Sequence, residues 1–150
     1  MKITLQTATP GHGEAIVQSQ LALAQESENL TLDEETVRKG VAYIFHKPER
    51  GEYMVALRDG AVVGCLLQLY EWSEWRCGDV IWVHSVYINK ECRGQGLFKK
   101  MYQTIQTKVL ESDHLRGIRL YVDKSNEPAI KVYEALGMNG DHYHLYEWLE

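Results

Sequence analysis

Arg93-Gly94-Gln95-Gly96-Leu97-Phe98 is the segment whose residue types point most directly to chemistry. It follows a β-rich stretch and opens a long helical pattern. Glycines let the backbone pass close to a ligand and aim successive N–H groups at one spot. A helix N-terminus adds roughly half a positive charge, so such a turn can hold a phosphate or pyrophosphate largely by main chain. Arg93, Lys99 and Lys100 add charge around it. On the glycines alone, a plain strand-to-helix turn accounts for the segment equally well. Two other phosphate motifs fail. The GxxxxGK[ST] pattern is absent, and the dinucleotide pattern GxGxxG meets Lys99 where its third glycine belongs.

The elements that must position this loop can be read from periodicity. Met1 to Gln6 alternates like a strand, and Thr9-Pro10 opens a helix with apolar positions Val17, Leu21 and Ala24. Thr31 and Glu34 have capping-box spacing ahead of Val37, Val41, Ile44 and Phe45, with Pro48 beyond the end of that second helix. Tyr53 to Leu57 and Val62 to Tyr70 read as strands joined by an Asp59-Gly60 hairpin turn. A polar, aromatic loop is expected from Glu71 to Gly78. Val80 to Ile88 is a fourth strand, with Trp82, His84, Val86 and Ile88 on one parity. Leu97, Met101, Ile105 and Val109 form a helical stripe, and Gly117 to Val122 alternates again. Ser125-Asn126 caps a short helix with Pro128 in its first turn, a stripe of Ala129, Val132, Tyr133 and Leu136, and Gly137 as its stop. A last strand is expected from about His142 to Leu149. The order is β-α-α-β-β-β-α-β-α-β, an α/β (α+β) plan without the strict alternation of a doubly wound fold. With no repeat or linker-like stretch, residues 1–150 read as one domain.

The bulk numbers narrow the function classes. A net charge of −5 argues against nucleic acid as a general partner and favours a cationic substrate. No apolar run approaches the ~20 residues of a membrane span. Three cysteines, Cys65, Cys77 and Cys92, show no CxxC spacing, so neither a disulfide framework nor a metal site is expected. A reducing cytoplasm is the plain inference.

Val86 to Leu97 resembles the signature of the GNAT superfamily of N-acetyltransferases, Gln/Arg-x-x-Gly-x-Gly/Ala, with Arg93 five residues after Ile88. Thirty residues on, Asn126-Glu127-Pro128-Ala129 through Tyr133 to Gly137-Met138 resembles that family's second motif. Both motifs occur in the family's order and spacing, and the resemblance covers nearly the whole chain. It implies a mixed, mostly antiparallel sheet of about 6–7 strands flanked by about four helices, and acetyl-CoA as cosubstrate. Phe98 departs from the pattern, standing where the family usually has Gly or Ala. It either narrows the space beside the phosphates or points into the core.

The resemblance carries roles onto particular residues. Arg93, Gly94, Gln95, Gly96, Leu97, Phe98 and Lys99 would surround the pyrophosphate. Val86, Tyr87 and Ile88 would pair with the pantetheine arm as an added strand, and an N–H near Val86 would polarise the thioester carbonyl. Asn126 would lie beside the cofactor arm as well as capping its helix. Tyr133 matches the tyrosine that protonates the departing thiolate, as a phenol of reference pKa about 10 can; by periodicity alone it reads as a core aromatic. Many members place a glutamate on the fourth strand as base. Here Trp82 and His84 occupy those positions, and His84, with a reference pKa of about 6.5, is able to accept a proton at pH 7. It reads equally as a strand histidine satisfied by a neighbour.

The stretch Leu69 to Trp75, together with Asn126-Glu127-Pro128, looks similar to the diamine and polyamine acetyltransferases, which bind cationic amines with carboxylates. Glu26, Glu28, Glu71 and Glu74 would supply them, with Trp72 or Trp75 as a cation–π face; a solvated acidic surface is the other reading. A small-molecule primary amine is therefore the expected acceptor, ahead of a protein N-terminus or lysine. A GNAT-fold module that holds acyl-CoA without turnover is the rival from another class. Tyr143 to Trp148 would suit a homodimer interface, and would equally suit the core.

Overall fold

A computed structural model describes residues 2–150. Packing divides the chain into two units, Met1–Arg119 and Leu120–Glu150, which are described separately.

The first unit is a five-stranded sheet with helices on its faces. Its strands are β1 (Ile3–Thr7), β2 (Gly51–Arg58), β3 (Ala61–Ser73), β4 (Gly78–Ile88) and β5 (Leu115–Arg119), lying side by side in that order. The first three pairings are antiparallel and the last, β4 with β5, is parallel. Between β1 and β2 run α1 (Gly13–Glu28) and α2 (Glu34–His46), and α3 (Leu97–Glu111) connects β4 to β5. One face of the sheet buries Tyr53, Val55 and Cys65 against Ile16 and Val17 of α1 and Val41 of α2. α3 buries Leu97, Met101, Tyr102 and Ile105. Lys108 of α3 reaches Glu52 (2.9 Å) and the Tyr70 hydroxyl (3.2 Å), tying the helix to β2 and β3.

Several local details follow the chemistry of single residues. Asp59 (φ 52°) and Gly60 (φ 80°) make the β2–β3 turn, as the Asp-Gly pair requires. The cap of α2 is Asp33, whose carboxylate accepts from the Thr36 N–H at 2.9 Å, so Thr31 does not form the expected box. A carboxylate two residues nearer the helix wins because its geometry meets the free N–H directly. The expected loop from Glu71 to Gly78 is shorter than its polarity suggests. β3 runs to Ser73 and β4 starts at Gly78, leaving Glu74–Cys77 as the turn.

The second unit contains α4 (Glu127–Ala135). Asn126 caps it by accepting from the Ala129 N–H at 3.2 Å, and Gly137 (φ 88°) ends it. The N–H groups of Gly137 and Met138 donate to the carbonyls of Glu134 and Tyr133, closing the helix in the left-handed manner glycine permits. The strand expected over His142 to Leu149 is not formed, so the described residues contain five strands rather than 6–7. Strand-like alternation makes a strand only where a neighbouring ladder is offered. Tyr143, Leu145, Tyr146, Trp148 and Leu149 are instead exposed.

Candidate active site

The register between β3 and β4 shapes the site. Cys65 pairs with Tyr87 and Leu67 pairs with His84, so Leu66 alone on β3 opposes both Ser85 and Val86 on β4. Two residues against one is a β-bulge, which bends the strand and re-aims the side chains beyond it. Ser85 sits at φ 55°, the left-handed region. The bulge corrects the simple parity expected over Val80 to Ile88. His84 and Tyr87, three residues apart, both lie on the face packed by α1 and α2, with Trp82 stacked on His84 at 6.1 Å between ring centroids.

α1 holds this bulged segment. Gln20 donates to the Ser85 carbonyl at 3.4 Å and to the Cys65 sulfur at 3.7 Å. Burial pushes the Cys65 thiol up to about 11, so it stays protonated and structural at neutral pH. Burial also lowers the pKa of His84, which keeps the imidazole neutral at pH 7. On the other side of β4, pairing with β5 ends at Trp82 opposite Arg119, while β4 itself continues to Ile88.

After β4 the chain makes a short 3-10 turn, Lys90–Cys92, with Cys92 buried. Arg58 braces that turn by donating to the Cys92 sulfur at 3.4 Å and pairing with Glu91 at 3.7 Å. Gly94 and Gly96 then both take φ 75°. A Cβ added at either would meet no protein atom within 4 Å, so the space over both glycines is open. Gly96 is the N-cap residue of α3, and the first helical bond runs from the Lys100 N–H to its carbonyl at 3.1 Å. The N–H groups of Leu97, Phe98 and Lys99 therefore lack helical acceptors, as at every helix start. The loop thus presents main-chain donors and the positive end of a helix, which fits a pyrophosphate. Leu97, not Phe98, is the buried anchor of the helix; Phe98 is half-buried, its ring 6.4 Å from that of Tyr102.

Arg93 points back into the protein. Its Nε donates to the Ile88 carbonyl (2.7 Å) and its Nη2 to Glu26 of α1 (2.8 Å), while the guanidinium lies 5.3 Å from the centre of the Tyr87 ring. The Tyr87 hydroxyl donates to the other oxygen of Glu26 at 2.6 Å. Those two bonds, the tyrosine's first, hold the Glu26 carboxyl below the usual carboxylate range, and the same bond to Glu26 raises the Tyr87 phenol. Gln95 closes the loop on itself, donating to the Glu91 carbonyl at 3.1 Å.

The other sequence-derived residues are spread more widely. Glu26 joins the loop instead of standing with the other carboxylates. Glu28 ends α1, exposed. Glu71, paired with Arg119 at 3.2 Å, and exposed Trp72 and Glu74 lie at the β3–β4 hairpin tip. Trp72 pairs with Asp79, six residues before Ser85, or roughly 20 Å along the strand at its usual rise. Tyr133 and Asn126 belong to the second unit, where Asn126 is the cap of α4 and burial raises the Tyr133 phenol above its ordinary value. A cavity of about 570 Å³ borders the C-terminal half of α3, lined by Tyr70, Asp79, Lys108, His114 and Leu115 among others. None of the residues singled out in the sequence lines it. Gln20, Ser85 and Arg58 escaped the sequence reading, since nothing local distinguishes a glutamine that bonds a strand 65 positions away.

Among the described residues no group of acidic, histidine or cysteine side chains is placed to hold a metal, and no helix is long and apolar enough to cross a membrane.

Comparison with known proteins finds the same fold. A crystal structure described as a possible acetyltransferase from Clostridium difficile 630 is 33% identical, covers 100% of this chain and 99% of its own, and superposes with a TM-score of 0.92. A mycothiol acetyltransferase from Thermomonospora curvata is 28% identical over 90% of this chain and 43% of its own length. A thialysine N-epsilon-acetyltransferase from Bos taurus is 33% identical over 51% of this chain and 44% of its own. The chain thus spans less than half the length of these curated relatives. The model of the acetyltransferase (GNAT) family matches residues 17–138, and the chain belongs to that family.

Proposed function

We propose that the chain transfers the acetyl group of acetyl-CoA to a primary amine on a small cationic molecule, by direct attack in a ternary complex. The observation that carries this reading is the loop itself. Gly94 and Gly96 hold positive φ under open space, at the start of the helix that follows a bulged strand and a short 3-10 turn. Acetyl-CoA would supply the activated acyl group.

The chain's own residues do the rest. The N–H groups from Gly94 to Lys99 hold the pyrophosphate, with Lys99 and Lys100 exposed nearby. The edge of β4 beyond Trp82 takes the pantetheine arm through Val86, Tyr87 and Ile88, and an N–H near Val86 stabilises the developing oxyanion. Asn126 is the further cofactor residue that the family resemblance assigns. An alkylammonium of pKa near 10.4 is neutral in only about one molecule per thousand at pH 7, so the acceptor needs a base. His84, kept neutral by burial, is that base. Tyr133, with its phenol raised, stays protonated to return a proton to the leaving thiolate. The thialysine enzyme among the relatives carries in its name a small cationic amine, which favours that acceptor class.

Two further parts belong to the reading. The three cysteines are free thiols, which suits a reducing cytoplasm. Two copies pair through the exposed segment Tyr143 to Trp148. Its three aromatics alone, at ~150–250 Å² each, supply over half of the ~800 Å² per partner of a standard interface. Tyr146→Ser with Trp148→Ser should turn a dimer into a monomer in light scattering.

Release of CoA thiol from acetyl-CoA across a panel of small amines, peptide N-termini and lysine peptides tests the function. Turnover with a small cationic amine is expected. Turnover only with peptides moves the acceptor to protein, and CoA binding without thiol release supports the non-catalytic module.

A further inference from the structure

The strongest feature the mechanism leaves unused is the contact between α1 and the loop. Glu26 occupies the third-last position of α1, the helix whose buried face packs on the sheet. Its two carboxylate oxygens are divided between Tyr87 of β4 and Arg93 of the loop, at 2.6 and 2.8 Å. Arg93 is thereby held at four points: its Nε on the Ile88 carbonyl, its Nη2 on Glu26, its face toward Tyr87 at 5.3 Å, and its own backbone N–H on the Lys90 carbonyl at 3.3 Å. Charge-assisted bonds of this kind are directional as well as strong. A guanidinium committed in this way has its charge matched by a carboxylate.

We propose that Glu26 is a positioning residue of the cofactor loop: through Tyr87 and Arg93 it ties the end of α1 to the end of β4 and holds the loop's N–H groups in their anion-binding arrangement. This inference rests on the reading of the loop as a CoA site. It assigns Arg93 to the inside of the loop as a pin and leaves the phosphates to main-chain donors. It also removes Glu26 from the set of carboxylates available to an amine, because both of its oxygens are engaged.

Calorimetric titration with CoA, together with steady-state kinetics, separates the possibilities. Wild-type protein is titrated first, then Glu26→Gln, Glu26→Asp and, as a control, Glu14→Gln. Glu14 makes an ion pair of the same length, 2.8 Å, with Arg38 on the exposed surface between α1 and α2. Glu26→Gln should weaken CoA binding about tenfold, as expected for losing a hydrogen bond between charged groups. KM for acetyl-CoA should rise in parallel, while kcat and KM for the amine stay level. Glu26→Asp should recover part of the affinity, and Glu14→Gln should leave it unchanged. A rise in KM for the amine with unaltered CoA affinity would make Glu26 an acceptor carboxylate and overturn the proposal. Lower melting temperature with unaltered CoA affinity would reduce it to a surface ion pair and overturn it equally. Wild-type protein that binds no CoA would remove the reading of the loop itself, and the proposal with it.

Discussion

Gln20 of α1 donates to the carbonyl of Ser85 at 3.4 Å, and Ser85 is the residue at which β4 enters the left-handed region, φ 55°. The helix thus fixes the bulge that brings His84 and Tyr87 onto one face. An L-residue in this conformation costs about 1–2 kcal/mol, and a β-branched one more. Ser85→Gly should therefore raise stability by up to about 1 kcal/mol in denaturant unfolding, whereas Ser85→Val should lower it by about 2 kcal/mol. Equal midpoints for both variants would show that the bulge is not strained there.

Gly96 offers a cleaner probe of the loop. A methyl group at that position meets no protein atom, so the folded chain bears only the backbone cost of φ 75°. Gly96→Ala should lose about 1–2 kcal/mol of stability. On the proposed placement of the phosphates the methyl would crowd them, so CoA affinity should fall by about tenfold or more, a larger loss than the backbone cost explains. Unchanged affinity would place the phosphates elsewhere.

On the proposed mechanism, His84 as base sets the acidic limb of the pH profile. Burial lowers its pKa from 6.5, so the neutral, proton-accepting form is full above that value and is lost as pH falls through the lowered one. The limb of kcat/KM should lie below pH 6.5 and vanish in His84→Gln, with activity reduced at neutral pH by roughly 10²-fold. A limb that persists in the variant belongs to another group.

On the same proposal, Tyr133 as acid bears on the opposite limb. Its phenol is raised above 10.0 by burial, so the protonated form is full at neutral pH and is lost only at pH above that. Tyr133→Phe should cut kcat by roughly 10²-fold, with CoA affinity little changed. An unaltered kcat would remove Tyr133 from the acid role.

The sequence made the loop legible because glycine at positive φ and a helix start are local properties. Gly94, Gly96, the Asp59-Gly60 turn and the α4 cap at Asn126 were all readable for that reason. The family motifs added the cofactor. What stayed hidden is non-local. The bulge at Ser85 is an offset between two strands, and serine carries no mark of a left-handed conformation. Glu26 and Arg93 are 67 residues apart, so a carboxylate that completes the loop reads instead as one of the acids for a cationic amine. Alternation over His142 to Leu149 promised a strand, but a strand needs a partner ladder as well as a pattern.

The central claim is that main-chain donors from Gly94 to Lys99 hold the pyrophosphate of CoA. Titration of ¹⁵N-labelled protein with CoA, monitored through backbone amide resonances, tests it most directly. The largest shifts should fall on Gly94, Gln95, Gly96, Leu97, Phe98 and Lys99, and they should be much smaller with pantetheine, which lacks the pyrophosphate. Saturable CoA binding that leaves those six amides in place would contradict the account.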